Sequence, residues 1–107
     1  KKNIKILVAG ICYKAEVSDT RNSLPFSIFK KLKKDNSLKI IGYDPILNES
    51  LANKLNIKKN FKFKNKGVDL IVILVNHKIL VKKFRNKKLF KNSKILDVFN
   101  FLKNEKN

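Results

Sequence analysis

Apolar residues of the chain are concentrated in short runs that polar segments separate. The runs at 4–9 and 38–43 are rich in isoleucine and leucine and end at turn-forming residues, which is typical of buried strands. The run at 69–75 is apolar at almost every position, as expected of a central strand that a parallel sheet buries on both faces. A last strand is predicted at 93–98.

The segments between these runs carry apolar residues at helical spacing. Ser23 is a candidate N-cap, and Pro25 stands in the first turn after it, where the missing N–H costs nothing. From there apolar residues share one face and lysines the other, which predicts an amphipathic helix that ends near Asp35. Shorter helices are expected after residues 48–50 and after Asn76, a second candidate cap.

Strands that alternate with helices predict the α/β class, with a three-layer, Rossmann-like parallel sheet that has helices on both faces. The length of 107 residues suits a single domain over 1–107, and no internal repeat or linker divides it. Segment 57–66 is ambiguous, although Phe61 and Phe63 alternate as in a short strand. Folds of this class bind ligands beyond the carboxyl ends of their strands.

Composition narrows the classes of protein further. A single cysteine excludes an intrachain disulfide and a cysteine-built metal site, and a single histidine argues against a zinc site. This cysteine usage favours a reducing compartment, so we expect a cytoplasmic protein. The apolar runs are shorter than the roughly 20 residues of a membrane span. The chain contains no methionine and begins directly on a strand, so we expect it to be an excerpt of a longer polypeptide.

The net charge of +18 has two interpretations. It is the kind of charge that a nucleic-acid-binding module carries, and such a module is the alternative function. However, only Arg21 and Arg85 are arginine among the 26 basic residues, and the lysines are spread along the whole chain. Abundant lysine and asparagine also follow from an AT-rich genome, and nucleic-acid readers favour arginine. We therefore favour base composition over a nucleic-acid partner.

The first turn lacks the glycine-rich fingerprint of a dinucleotide site. Gly10 is present, but Cys12 and Ala15 stand where the second and third glycines belong, and Asp44 follows 34 residues later rather than about 20. The domain is therefore not expected to hold a dinucleotide itself. Instead, Lys14 and the neighbouring Tyr13 offer a cation for a phosphate and a ring for a base or sugar.

Other candidate residues have plainer interpretations. Arg21 lies two residues from Asp19, so the pair forms either a staple within the loop or a fork for a phosphate. Cys12 has no base beside it in the sequence and is interpreted as a small core residue. His77 follows a strand and is interpreted as structural, and Asp97 as a partner for backbone N–H groups. No catalytic residue and no metal ligand is assigned.

Residues 10–23 read GICYKAEVSDTRNS, and this stretch strongly resembles the C-terminal, UDP-binding domain of the UDP-glucose/GDP-mannose dehydrogenase family. In members of this family, the corresponding stretch reads like G-x-A-[FY]-K-x-[DN]-x-x-D-x-R-x-S-P. Three further segments agree in the same order, namely YDP at 43–45, VDLIVILVNH at 68–77 and ILDVFN at 95–100. The Asn-His ending is similar to members that act on UDP-N-acetylhexosamines.

The resemblance implies a function that this chain performs only as part of a larger enzyme. Full-length members have an N-terminal NAD domain, a central dimerisation region and a C-terminal nucleotide-sugar domain. They oxidise the sugar C6 alcohol to a carboxylate in two NAD-dependent steps, through a thiohemiacetal on a cysteine of the central region. The chain is then the UDP-sugar-binding part of an NAD-dependent UDP-sugar 6-dehydrogenase, inactive alone. Its partners are the UDP-sugar and the remaining domains, and the full-length enzyme is a homo-oligomer.

The resemblance also assigns residues. Tyr13 and Lys14 match the UDP-sugar site, and Arg21 would reach across the interdomain cleft to the NAD that the N-terminal domain mainly binds. Cys12 stands where the family usually has alanine, so it does not match the catalytic cysteine. Phe99 stands where many members carry a substrate-binding arginine. Besides a nucleotide-sugar-binding domain and a nucleic-acid-binding module, a third possible function is a domain that only closes the cleft and supports assembly.

Overall fold

A computed structural model of the chain describes residues 4–62, 67–86, 93–98, 100 and 102. Within these residues, strands alternate with helices as the apolar runs predict. The elements are β1 (Ile4–Ala9), α1 (Leu24–Lys33), β2 (Leu38–Tyr43), α2 (Glu49–Leu55), β3 (Leu70–Ile73), α3 (Lys78–Phe84) and β4 (Lys94–Asp97). None of the helices in this described part is long and apolar enough to cross a membrane.

The strands form a parallel sheet in the order β2-β1-β3-β4. β1 lies inside the sheet, where Ile6 is paired with Ile40 of β2 on one side and with Leu70 of β3 on the other. Because all strands run in the same direction, the segments that follow β1, β2 and β3 emerge at one edge of the sheet. This is the edge at which the sequence places its candidate residues.

Each face of the sheet has its own core. Ile6 and Val8 of β1 belong to one buried cluster together with Phe29 of α1 and Ala52 of α2. Leu7 and Ala9 point to the opposite face, where the buried cluster includes Leu80 and Phe84 of α3. This alternation confirms the predicted Rossmann-like α/β fold with helices on both faces of a parallel sheet.

The residues that the sequence marks as the start of α1 take their predicted roles. The hydroxyl of Ser23 accepts a hydrogen bond from the N–H of Phe26 at 3.0 Å and donates one to the carbonyl of Ile11 at 2.9 Å. Pro25 follows in the first turn, which confirms both start signals. Phe29 of this helix lies directly over Gly42, where a Cβ atom would stand only 2.7 Å from the ring.

Two details differ from the sequence-based prediction. The predicted cap Asn76 is wrong: the N-cap of α3 is His77, whose side chain does not cap because its ring is buried and bonded elsewhere. The third strand ends earlier than 69–75, at Ile73. The N–H of Leu74 still bonds the carbonyl of Ala9 at 2.9 Å, after which β1 has no further residue to pair.

The ambiguous segment 57–66 is described only in part. Lys58 forms an isolated parallel bridge with Tyr43, which extends the edge of the sheet by one position. The ring of Phe61 lies 6.3 Å from that of Tyr43, centroid to centroid. Residues 63–66, including Phe63, lie outside the described residues, and so does Phe99.

Candidate functional site

The carboxyl edge of the sheet is organised around one buried carboxylate. Asp44, the first residue after β2, is fully buried. Its Oδ2 accepts hydrogen bonds from the N–H groups of Ile11 at 2.7 Å and Cys12 at 3.0 Å. Its Oδ1 accepts from the N–H of Ile46 at 2.9 Å. The end of β2 therefore fixes the path of the chain as it leaves β1.

The ring of His77 completes the shell around this carboxylate. Nε2 of His77 lies 3.0 Å from Asp44 Oδ2, and both side chains are fully buried. Nδ1 of the same ring accepts a hydrogen bond from the backbone N–H of Glu16 at 2.9 Å. A nitrogen that accepts from an N–H carries no proton, so the proton of the neutral ring is on Nε2 and points at Asp44.

These contacts keep Asp44 ionised although it is buried. Burial alone would raise the pKa of this carboxyl group, because a charge is costly in a low dielectric. The hydrogen bond from His77 and those from the N–H groups of Ile11 and Ile46 act in the opposite direction, and the net pKa lies below the ordinary value. The cluster thus holds a negative charge that hydrogen-bond donors surround.

Glu16 ties the same region to α3. Its carboxylate Oε2 accepts a hydrogen bond from the N–H of Lys78 at 2.6 Å. Its backbone adopts φ = 64°, in the left-handed region that a residue with a Cβ rarely occupies. A further contact joins the loop to α2, since Ser18 Oγ accepts from the N–H of Asn48 at 2.8 Å. The loop after β1 is therefore bound to elements that follow both β2 and β3.

The turn at residues 13–17, named the β1 turn below, presents Tyr13 and Lys14. Lys14 pairs with Val17 across the turn in an antiparallel bridge. Lys14 is exposed, and Tyr13 is 50% exposed. The Lys14 ammonium lies 5.9 Å from the centroid of the Tyr13 ring. The turn thus offers an exposed cation beside a half-exposed aromatic ring at the carboxyl edge of the sheet.

A cavity of about 670 Å³ is lined by residues of the segments that follow β2 and β3. Its lining includes Pro45, Asn53, Lys58 and Ile79, and neither Tyr13 nor Lys14 belongs to it. The β1 turn, unlike this cavity, presents an exposed cation beside an aromatic ring, and hydrogen bonds to Asp44 and His77 attach the chain on both sides of the pair.

Arg21 forms the ion pair that its spacing suggests. Its Nε donates to Asp19 Oδ1 at 3.1 Å, and its Nη2 donates to Oδ2 at 2.9 Å. This guanidinium lowers the pKa of Asp19 to about 2. The staple within the loop is present, yet the Arg21 side chain is 87% exposed, so the guanidinium also faces the solvent.

The buried cluster of Cys12, Asp44 and His77 is not suited to bind a metal. Their potential ligand atoms lie within 4.8 Å of one another. However, a metal-bound histidine normally donates its other ring N–H, whereas Nδ1 of His77 accepts one and Nε2 holds the proton. Burial and the nearby Asp44 raise the pKa of the Cys12 thiol, so the metal-binding thiolate is disfavoured.

Burial and hydrogen bonding also argue against a catalytic role for this cluster. Cys12 is fully buried with a raised pKa, and both ring nitrogens of His77 are occupied inside the protein. The interpretation of both residues as structural is therefore supported. Asp97 also behaves as predicted, since its Oδ2 accepts a hydrogen bond from the N–H of Leu102 at 2.7 Å.

The roles of Asp44 and Glu16 are not apparent from the sequence. The sequence places Asp44 at the end of the second strand, in the YDP segment and at a spacing that does not suit a dinucleotide site, and it assigns Glu16 no role. The available signal was an acidic residue at a strand end in a chain with few acids, followed by Pro45. Its partner His77 lies 33 residues away, so no local pattern connects the two.

Together, the parallel sheet and the anchored turn at its carboxyl edge define a Rossmann-like α/β domain, a class that binds ligands beyond the carboxyl ends of its strands. Residues 7–104 match the sequence model of the UDP-glucose/GDP-mannose dehydrogenase family, UDP binding domain, and the chain belongs to this family. No curated protein matches the chain significantly.

Among solved structures, the chain is similar to the UDP-N-acetyl-mannosamine dehydrogenase Cap5O from S. aureus. The two share 26% sequence identity with a TM-score of 0.71. The match covers 94% of this chain but 23% of that protein, so the chain spans about a quarter of the length of its relative.

Proposed function

We propose that the chain is the C-terminal, nucleotide-sugar-binding domain of a longer NAD-dependent UDP-sugar 6-dehydrogenase of the cytoplasm. The family match supports a UDP ligand, and the exposed cation and ring of the β1 turn carry the assignment of the site. Tyr13 and Lys14 bind the UDP-sugar in this proposal. The remaining domains supply the catalytic cysteine and most of the NAD site, and the full-length enzyme is a homo-oligomer.

The chemistry of the β1 turn fits a diphosphate. The Lys14 ammonium can approach a phosphate oxygen as a point charge, because it lies in solvent. Tyr13 exposes half of its surface, which allows its ring to lie against a base or a sugar. The chain's charge of +18 attracts any such anion to the surface.

Arg21 belongs to the cofactor side of the cleft in the same proposal. Its pairing with Asp19 fixes one edge of the guanidinium and leaves an exposed group that a neighbouring domain can approach. Oxidation of the sugar alcohol in the parent enzyme would require NAD as the hydride acceptor. This chain's residues only bind and orient, because Cys12 and His77 are sealed within the fold.

The sugar class is a finer proposal. The solved relative acts, by its name, on UDP-N-acetyl-mannosamine, and strand β3 leads into an Asn76-His77 ending like that of members acting on UDP-N-acetylhexosamines. We therefore infer a UDP-N-acetylhexosamine as the substrate of the parent enzyme.

Replacing Lys14 by alanine is expected to weaken UDP binding by roughly tenfold or more, because a hydrogen bond to a charged group contributes roughly 1.5–3 kcal/mol. Isothermal titration of the chain with UDP, in low salt and up to millimolar ligand, measures the change. Lys34→Ala is the matched control, since Lys34 is also an exposed lysine but lies at the end of α1. Equal weakening of UDP binding by both variants would show that Lys14 acts only through the net positive charge of the chain and not through a specific contact.

A nucleic-acid module remains the second candidate, and only the net charge favours it. It predicts tight binding to duplex DNA with a salt slope of about −0.9 for each phosphate contacted. Binding to DNA that persists at physiological salt, combined with no response to UDP, would favour this candidate over the dehydrogenase domain.

A further inference from the structure

We propose that His77 is a positioning residue for the UDP-sugar site, and that it holds Lys14 and Tyr13 in their binding arrangement through Glu16. This inference rests on the proposed function, because it assumes that the β1 turn binds the ligand. It adds a residue that touches no ligand and gives a reason for a buried histidine that takes no part in chemistry.

Tyr13 and Lys14 lie between two fixed points of the backbone. On one side, the N–H groups of Ile11 and Cys12 are bound to Asp44. On the other side, the N–H of Glu16 is bound to His77 Nδ1 at 2.9 Å. Asp44 and His77 are hydrogen-bonded to each other, so both ends of the segment that carries Tyr13 and Lys14 are attached to one buried pair of side chains.

Histidine suits this place because one rigid ring supplies a donor and an acceptor at once. Nε2–H donates to Asp44, and this bond sets the tautomer that leaves Nδ1 free to accept from Glu16. The ring is fully buried, so water does not compete for either nitrogen. The buried charge of Asp44 is thereby coupled to an exposed turn.

Glu16 needs this support because its own conformation is unfavourable. A residue with a Cβ at φ = 64° stores backbone strain, and such strain persists only where surrounding contacts impose it. Three contacts do so here: the bond to His77, the bond from Lys78 N–H to the Glu16 carboxylate at 2.6 Å, and the bond from Val17 N–H to the Lys14 carbonyl at 3.3 Å that closes the turn. The first two attach the turn to the rest of the domain, so without them Glu16 and the adjacent part of the turn are expected to shift relative to the sheet.

The charged and titratable groups around His77 come from each element that meets there. Asp44 from the end of β2 faces Nε2, and the Glu16 carboxylate lies 4.0 Å from Nδ1. Cys12 completes the cluster from the loop after β1, and Lys78 follows His77 directly in the chain. These groups place His77 between a buried anion and an exposed one, with its ring nitrogens assigned to different partners.

Two substitutions of His77 test its hydrogen bond to Asp44 and its hydrogen bond from Glu16 separately. His77→Gln retains an N–H near the Nε2 position for Asp44 and removes the acceptor for Glu16. His77→Asn retains an acceptor near the Nδ1 position and removes the donor. We expect His77→Gln to weaken UDP binding by about threefold to tenfold, which corresponds to one lost hydrogen bond. We expect His77→Asn to lower the unfolding midpoint more and the UDP affinity less.

Glu16 gives a test at an exposed position, where a failure to fold is not expected. Glu16→Ala removes the carboxylate that Lys78 binds and should also weaken UDP binding by about threefold. Glu16→Gln keeps an acceptor oxygen and should restore most of the affinity. A residue with only a structural role would change the unfolding midpoint in these variants and leave the UDP affinity unchanged.

The outcomes distinguish the inference from the proposed function. If Lys14→Ala weakens binding while His77→Gln binds UDP like the unmodified chain, His77 does not position the site. If Lys14→Ala binds UDP as well as the unmodified chain, the proposed function itself fails. The imidazole nitrogen resonances of ¹⁵N-labelled chain add a test without ligand: a proton on Nε2 is expected, and a proton on Nδ1 overturns the inference.

Discussion

Replacing Asp44 by alanine is expected to destabilise the domain by about 3–5 kcal/mol, since removal of one partner from a buried polar network leaves the others unsatisfied. The backbone N–H groups of Ile11, Cys12 and Ile46 would lose their acceptor, and so would Nε2–H of His77. All of these groups meet at a fully buried carboxylate, so water cannot replace it without opening the core. Urea unfolding followed by circular dichroism measures the loss.

Asp35→Ala is the control for this substitution. Asp35 also accepts hydrogen bonds, from the N–H and hydroxyl of Ser37, but it is exposed, so the expected cost is only about 1 kcal/mol or less. Similar unfolding midpoints for Asp44→Ala and Asp35→Ala would contradict the role given to the buried carboxylate.

The pH dependence of stability offers a second test of the buried carboxylate. The pKa of Asp44 is lower in the folded chain than its ordinary value of 3.8, because the hydrogen bonds outweigh the burial that would raise it. Its stabilisation is therefore fully present well above pH 3.8 and is lost as the pH falls through the folded-state pKa. The Asp44→Ala variant should show a shallower fall in stability over that acidic range.

Replacing Gly10 by alanine is expected to destabilise the domain by about 2–6 kcal/mol, since two separate penalties add, each of about 1–3 kcal/mol. Gly10 has φ = 95°, which an L-residue with a side chain adopts only with strain. An added Cβ would also stand 2.7 Å from both the Cβ and the backbone nitrogen of Val75, closer than real Cβ atoms approach. Thermal unfolding measures the combined loss.

Asn22→Ala separates the two penalties. Asn22 also has a positive φ, of 56°, but it is exposed and already carries a Cβ. Its replacement should cost only about 1 kcal/mol of backbone preference. If Gly10→Ala unfolds no earlier than Asn22→Ala, the close contact between the first turn and Val75 is not a constraint on the fold.

Much of this fold could be predicted because its signals are local. The strands β1 and β2 have the predicted bounds, since apolar residues that flank a turn define them within a few positions. The Ser23 cap and Pro25 marked the start of α1 for the same reason. Parallel pairing followed from the alternation of elements, which needs no knowledge of distant contacts.

The candidate site could be predicted only at its surface. Tyr13 and Lys14 were recognisable because they lie in the turn that follows the first strand and match a family pattern. The buried support could not be predicted, because Asp44 lies 33 residues from His77, and Glu16 lies 61 residues from it. Asn76 failed as a cap for a related reason: the tertiary contact of Glu16 with Lys78 N–H supplies what a local cap would have supplied.

The claim that the β1 turn binds a UDP-sugar is tested most directly by following the backbone amide resonances of the chain while UDP is added. We expect saturating shifts at Tyr13, Lys14 and Glu16, with smaller ones at the adjoining His77 and Lys78, and little change on the outer face of α1. Amides of the β1 turn that stay unmoved at millimolar UDP, or shifts spread evenly over the exposed lysines, would contradict the claim.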